Sequence, residues 1–183
     1  MELSPTSRAI LGMLGLSPMS GYEIKRFVDN STRFFWAASY GQIYPELKRL
    51  SAAGLVESTE DPQSGRRKIV HRLTPAGQQA LREWLAQPPE IQEMRDESLL
   101  KIFFSDFGGR EATLTALKAK RAHHAGLAER LRTISSSADK EAAELSDSSA
   151  YRALRYGIAF NDFAAEWCER ETERLHGEDR RAA

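Results

Sequence analysis

The sequence predicts a mostly α fold, α+β in its first half and all-helical in its second. Three observations carry that prediction. Apolar residues recur at helical spacing through residues 4–52. Two short strand-like runs, LVESTE and KIVHRLT, then flank a turn-rich DPQSGRR. After QPPE at 87–90, the apolar pattern keeps a helical period to residue 176. The 183 residues suit one domain or two of about 100 each, and the QPPE break divides 1–87 from 91–178.

In SPTSRAILGMLGL, Ser4 and Pro5 form a helix N-cap and first position, and Ile10, Leu11 and Leu14 keep helical spacing. Ser17-Pro18 ends that helix. Ser20 starts a second with Glu23 three residues on, a capping box, and Ile24, Phe27 and Val28 turned inward. STRFFWAA connects to a third helix, YGQIYPELKRLSAAGL. Its stripe of Ile43, Leu47 and Leu50 faces a core, and Gly54 ends it in the left-handed conformation. Pro45 calls for either a 3₁₀ turn over Tyr40–Tyr44 or a bend. After the two strands, Thr74-Pro75 opens a fourth helix with Leu81, Trp84 and Leu85 inward.

Helix, helix, helix, strand, basic turn, strand, helix is the order of a winged helix-turn-helix. There the third helix enters the DNA major groove and the hairpin tip lies along the phosphates. The outer face of the third helix fits that use. Gly41 and Pro45 allow close approach, Gln42 offers an amide that can pair with adenine, Tyr40 and Tyr44 carry hydroxyls for phosphates, and Lys48 and Arg49 add charge.

The formal charge is zero overall but unevenly spread. Residues 1–90 hold eleven Lys and Arg against nine Asp and Glu, and residues 62–82 hold no acid beside Arg66, Arg67, Lys68, Arg72 and Arg82. In isolation a basic turn is a solvated loop; joined to this helix order, Arg66, Arg67 and Lys68 become a phosphate clamp.

SGYEIKRFV, FWAASYGQIYPELKRLSAAGLV and GRRKIVHRLTPAG, in this order, resemble the PadR family of bacterial transcriptional regulators. The resemblance covers roughly the first half of the chain. It implies that the DNA-facing set is Tyr22 and Lys25, then Ser39, Tyr40, Gln42, Tyr44, Lys48 and Arg49, then Arg66, Arg67 and Lys68. His71 stands where the family commonly has tyrosine; sharing a strand face with Ile69 and Leu73, it reads as a half-buried structural histidine. The second half looks like the Vir-type C-terminal domain of some PadR members and of related virulence activators, which is helical and dimerises. Family members often respond to phenolic compounds, so Phe34, Phe35 and Trp36 are candidates for an aromatic effector site, with ordinary core packing as the alternative.

The second half carries its own signals. Leu99, Leu100, Phe103, Phe104 and Phe107 make an apolar segment stopped by Gly108-Gly109. A long helix from about Glu111 to Ile134 follows, with Leu114, Leu117, Leu127, Leu131 and Ile134 on one side and His124 among them. The polar run 135–149 reads as a loop. In the last helix, about Ser149 to His176, Tyr151, Leu154, Ile158 and Ala165 form one stripe, and Tyr156, Phe160, Phe163 and Trp167 form another. A helix apolar on two sides needs two surfaces. The second is either another subunit or part of one broad core face; a symmetric dimer suits paired recognition helices on a palindromic site.

No Ser/His/Asp or Cys/His set, phosphate-binding Gly loop or zinc-ligand spacing stands out, so neither an enzyme nor a metal or cofactor is expected. Cys168, the single cysteine, reads as inert packing and fits a reducing compartment. With no cleavable signal or membrane-length apolar run visible, the expectation is a cytoplasmic, dimeric repressor of a palindromic double-stranded operator, released by a small aromatic effector. The alternatives are a winged-helix module that binds only proteins, or an activator without an effector.

Overall fold

A computed structural model of the chain describes residues 2–61, 68–90, 95–139 and 148–182. The chain divides into two compact units, Met1–Ile91 and Gln92–Ala183. The first contains α1 (Pro5–Leu16), β1 (Met19–Ser20), α2 (Gly21–Asn30), a 3₁₀ turn (Thr32–Phe34), α3 (Tyr40–Ala52), β2 (Val56–Asp61), β3 (Lys68–Leu73) and α4 (Pro75–Leu85). The second contains α5 (Glu97–Phe103), a 3₁₀ turn (Ser105–Phe107), α6 (Gly109–Asp139) and α7 (Ser149–Ala182). Among the described residues, no helix is long and apolar enough to cross a membrane.

The first unit closes around Ile10, Leu11, Leu14, Ile24, Val28, Ile43, Leu47 and Leu50. Ile43, Leu47 and Leu50 are at most 2% exposed, and burying such side chains stabilises by roughly 1.5–3 kcal/mol each. The caps behave as the sequence requires. Ser4 accepts from the Ser7 amide, Ser20 and Glu23 form a reciprocal box, and Thr74 accepts from Gly77. At the end of α3, Leu55 N–H donates to Leu50 O and Gly54 N–H to Ser51 O, with Gly54 at φ +70°. This Schellman closure turns the chain directly into β2. α3 is α-helical throughout and holds Pro45 inside; the expected 3₁₀ turn shrinks to one bond, Gln42 N–H to Ser39 O.

β2 and β3 pair antiparallel from Val56↔Leu73 to Asp61↔Lys68. β1, absent from the sequence reading, pairs with the other edge of β3 through Met19↔His71 and Ser20↔Val70, giving the order β1-β3-β2. Two bonded residues lie below what periodicity can register. Pro62, Gly65, Arg66 and Arg67 of the expected turn lie outside the described residues.

Three expectations about side chains change. Leu85, the last residue of α4, is 66% exposed instead of inward, because the helix ends there. Ile69 is 47% exposed, since it sits toward the hairpin end of β3 where the core no longer reaches. His71 is buried, not half-buried: its Nδ1 lies 2.8 Å from Ser58 Oγ, itself 2.8 Å from Ser51 Oγ. Burial pushes its pKa down, and the chain of polar atoms ties the end of α3 to the hairpin.

In the second unit α6 and α7 run antiparallel, with contacts stepping from Arg121–Glu169 through His124–Asn161 to Ser135–Tyr151. Leu114, Leu117, Ala128, Leu131, Ala164 and Cys168 fill the seam. Of the loop expected at 135–149, residues 140–147 lie outside the described residues, Ser149 belongs instead to α7, and residues 135–139 belong to α6. The hydroxyls there find partners without leaving the helix: Ser136 Oγ donates to Thr133 O, and Ser135 meets the Tyr151 hydroxyl. Asn161 Nδ2 donates to Gly157 O, so its Oδ1 accepts and His124 carries its proton on Nδ1. Lys120 is buried and paired with Asp96.

Gly77 shows how closely the first unit packs. A Cβ there would lie inside the Leu55 carbonyl oxygen, a backbone atom with no freedom to yield. Gly77→Ala is expected to destabilise by about 1–3 kcal/mol through overpacking and to lower the melting temperature. An unchanged melting curve would show that α4 can move off Leu55 at no cost.

Candidate nucleic-acid interface

α2 and α3 present one continuous polar and aromatic surface. Tyr22, Tyr40 and Tyr44 are 59%, 44% and 52% exposed. Tyr40 and Tyr44, one turn apart, stack with centroids 6.1 Å apart. Lys25 pairs with Asp29 and places its ammonium 5.7 Å from the Tyr40 ring centre. Lys48 is exposed. An open groove of about 440 Å³ runs between α2, α3 and the hairpin, with Tyr22, Tyr44, Lys48, Ser58, Lys68 and His71 among its walls.

The carboxylates of α2 and α3, Glu23, Asp29 and Glu46, are each engaged by a cation. Glu46 turns from α3 toward the start of α1 and accepts from the hydroxyls of Ser4 and Ser7 and from Arg49. Burial opposes its charge, yet Ser7, Ser4 and Arg49 outweigh burial and hold its pKa below the usual range. Glu23 accepts from Lys68 Nζ at 2.8 Å and from the Ser20 amide and hydroxyl at 2.8 Å. Lys68 first, then Ser20, bring the Glu23 pKa to about 2. Glu46 and Glu23 thus tie these helices to other elements, while Asp29 is paired at the surface with Lys25 and Arg33.

The geometry revises several assigned roles. Gln42 is exposed, but its Oε1 accepts from the Ser39 amide at 2.9 Å and hydroxyl at 3.1 Å. Ser39 and Gln42 thus cap α3, and only the Gln42 amide hydrogens stay outward. Arg49 and Lys68 each hold a carboxylate as well as facing solvent. Arg66 and Arg67 lie outside the described residues. Of the candidate effector residues, Phe35 is 68% exposed and Phe34 and Trp36 are half-buried, with Trp36 Nε1 and Thr32 Oγ1 buried and without a hydrogen-bond partner among the described residues. Sequence reading assigns Glu23 its capping box but not its pairing with Lys68, and holds no sign of Glu46 reaching Ser4 and Ser7 or of the Ser51–Ser58–His71 chain, since those contacts join different elements.

In the second unit, Tyr151, Leu154, Ile158 and Ala165 are half-buried, and the Tyr151 hydroxyl meets Ser135 of α6. Tyr156, Phe160 and Phe163 are 72%, 45% and 60% exposed, with Trp167 half-buried at the end of their row. Phe103 and Phe107 are 77% and 93% exposed.

The sequence pattern of the transcriptional regulator PadR-like family matches residues 10–83, and that of the virulence activator alpha C-terminal domain matches residues 94–176. The chain carries a PadR-like domain followed by a virulence-activator-type C-terminal domain. That is the domain pair of a PadR-type transcriptional regulator, not of an enzyme. It is 38% identical over 98 residues to the negative transcriptional regulator PadR of Bacillus subtilis, a match spanning 52% of this chain and 54% of the relative's length. It is 29% identical over 180 residues to a probable transcriptional regulator of Mycobacterium tuberculosis, spanning 91% and 95% of the two chains. The structure resembles that of B. subtilis PadR in complex with operator DNA, with a TM-score of 0.86, 25% identity and coverage of 96% and 99%. The same relative in complex with p-coumaric acid gives a TM-score of 0.78 at 26% identity, again covering 96% and 99%. PadR-like chains with this second domain thus share the two-part order that QPPE announces here.

The Glu23 strut makes a pH prediction. A carboxylate whose folded pKa is depressed stabilises above its unfolded pKa and loses that stabilisation as pH falls through the folded value. The contribution of Glu23 is therefore complete above pH 4.5 and lost between 4.5 and about 2. Glu23→Gln should melt lower than the wild type near neutrality, and the gap should narrow as the pH approaches 2. Melting curves that stay parallel down to that pH would show that the Lys68 pair contributes nothing.

Proposed function

We propose that this PadR-like regulator is a dimeric repressor that binds a palindromic operator and is released by a small aromatic effector. The observation that carries the DNA-binding reading is the sorting of charge on α2 and α3. Glu23, Glu46 and Asp29 are each engaged by a cation, while Tyr22, Tyr40, Tyr44 and Lys48 stand exposed. A surface whose acids are neutralised and whose free groups are cationic or hydroxylic suits a phosphate backbone. α3 enters the major groove. Tyr22, Lys25, Ser39, Tyr40, Tyr44, Lys48 and Arg49 position it, the Gln42 amide donates to a base edge, and Arg66 and Arg67 clamp phosphates from the wing. Lys68 anchors the wing to Glu23 as well as adding charge.

Residues 1–87 form the DNA-binding domain and 91–178 the dimerisation domain. Tyr151, Leu154 and Ile158 brace α7 against α6, and Tyr156, Phe160, Phe163 and Trp167 meet a second copy. Leaving three exposed aromatics at helical spacing in water is costly, and a two-fold partner removes that cost. Repression and release follow the B. subtilis relative, a negative regulator with structures in complex with operator DNA and with p-coumaric acid. The buried, unpartnered Trp36 Nε1 and Thr32 Oγ1 are donors that a phenolate or carboxylate could use beside Phe34 and Phe35. A regulator of this kind works in the cytoplasm and needs no cofactor.

Replacing Arg66 and Arg67 by Ala should weaken binding to every duplex alike and flatten the slope of log K against log[salt] by ~1–2. Unchanged slope and affinity would remove the wing from the interface. Gln42→Ala should lose ~1–3 kcal/mol of discrimination between operator and scrambled DNA, and some stability with the cap. Gln42→Glu, which can keep the cap, should lose the discrimination but not the stability. Full discrimination in Gln42→Glu would reduce Gln42 to a cap alone. Sedimentation at micromolar concentration should give a dimer for the wild type and a monomer for Phe160→Asp/Phe163→Asp; a monomeric wild type would sink the dimer and the palindrome together.

A further inference from the structure

α2 and α3 meet in two matched layers at the interface surface. Gly21 and Lys25, one turn apart on α2, face Tyr44 and Tyr40, one turn apart on α3. In the outer layer the Lys25 ammonium lies over the Tyr40 ring. In the inner layer the Tyr44 ring lies directly on Gly21. A Cβ built at Gly21 would stand 2.6 Å from Tyr44 Cε1, 2.9 Å from Cζ and 3.2 Å from Cδ1. The two rings stack on each other between these layers. One bare backbone position therefore underlies the aromatic face of the recognition helix.

The fold gives no other reason for glycine there. Among the described residues only Gly54 and Gly109 have positive φ, so Gly21 adopts a backbone that any L residue can take. It is the first residue of α2, after the Ser20 cap, and alanine suits a helix better than glycine does. The obstructing atoms belong to a half-exposed side chain, not to backbone, so the fold can accommodate a Cβ by swinging Tyr44 outward. What that movement sacrifices is the ring's place against Tyr40 and the direction of its hydroxyl.

We infer that Gly21 is a positioning residue for DNA recognition: its missing side chain seats Tyr44, and through the Tyr40 stack it sets the first two turns of α3 for the groove. This rests on the DNA-binding reading above. It assigns the helix before α3 a part in specificity that requires no contact between Gly21 and DNA.

The test is a double-mutant cycle in the full-length protein with Gly21→Ala, Tyr44→Ala and the pair, and with Gly12→Ala as a control whose Cβ meets nothing within 4 Å. Binding is measured on a duplex of about two helical turns, enriched by the wild type from a random pool, and on a scrambled duplex of the same composition. Melting temperatures are recorded for every variant. Gly21→Ala should lose about tenfold in affinity for the enriched duplex and less for the scrambled one, as a displaced specific contact does. Its melting temperature should not fall. In the Tyr44→Ala background the same change should have no further effect. The Gly21 Hα resonances, shifted upfield by the ring in the wild type, should move downfield in Tyr44→Ala. Equal losses from Gly21→Ala in both backgrounds would overturn the inference and point to close approach of DNA to the Gly21 backbone. An unaffected Gly21→Ala, an unaffected Tyr44→Ala, or a melting temperature that falls with affinity would also overturn it. A wild type that enriches no duplex overturns the DNA-binding reading itself, and the Hα shift then reports only the packing.

Discussion

The burial of Ile43, Leu47 and Leu50 is the constraint on which the interface depends. Once those side chains lose water, α3 cannot rotate about its axis, and Tyr40, Tyr44 and Lys48 have nowhere to point but outward. The remaining contacts refine an orientation already chosen by the core. Glu46 pins the helix to the start of α1, the Gly54 closure sets where β2 leaves, and Ser51 joins Ser58 and His71 to fix its far end. If α3 is the reading helix proposed above, it must be rigid to discriminate between bases, and its rigidity comes from the core-facing side.

Polar groups divide along the same line. Glu23, Glu46 and the Ser51–Ser58–His71 chain work as internal struts, each held by a specific partner. Such pairs contribute little net stability where solvent reaches them. Their larger effect is on the field at the surface: a carboxylate already paired repels a phosphate less than a free one. A chain of zero formal charge can thereby offer DNA a locally cationic face.

Much of the architecture was legible because it follows from period and punctuation. Ser4-Pro5, Ser20 with Glu23, Thr74-Pro75 and Gly54 mark helix ends through local chemistry that tertiary packing did not override. The stripe on α3 and the two stripes on α7 follow from spacing alone. What stayed hidden depends on contacts between elements. β1 is two residues long and exists only because β3 has a free edge. Ser135 and Ser136 look like loop residues until Tyr151 and the helix's own carbonyls satisfy them. Leu85 and Ile69 keep the period of their elements but run past the limit of the core. In the site, Gln42 reads as a free amide until Ser39 is seen to hold its oxygen, and Gly21 reads as a helix start until Tyr44 is seen lying on it.

The central claim is that the exposed tyrosines of α2 and α3 are the surface that meets DNA. Hydroxyl-radical labelling tests it directly, because exposed aromatic rings oxidise readily and report cover side chain by side chain. With DNA added, oxidation of Tyr22, Tyr40 and Tyr44 should fall sharply while that of Phe107, exposed in the second unit, stays as it was. Tyrosines that oxidise equally with and without bound DNA would contradict the account.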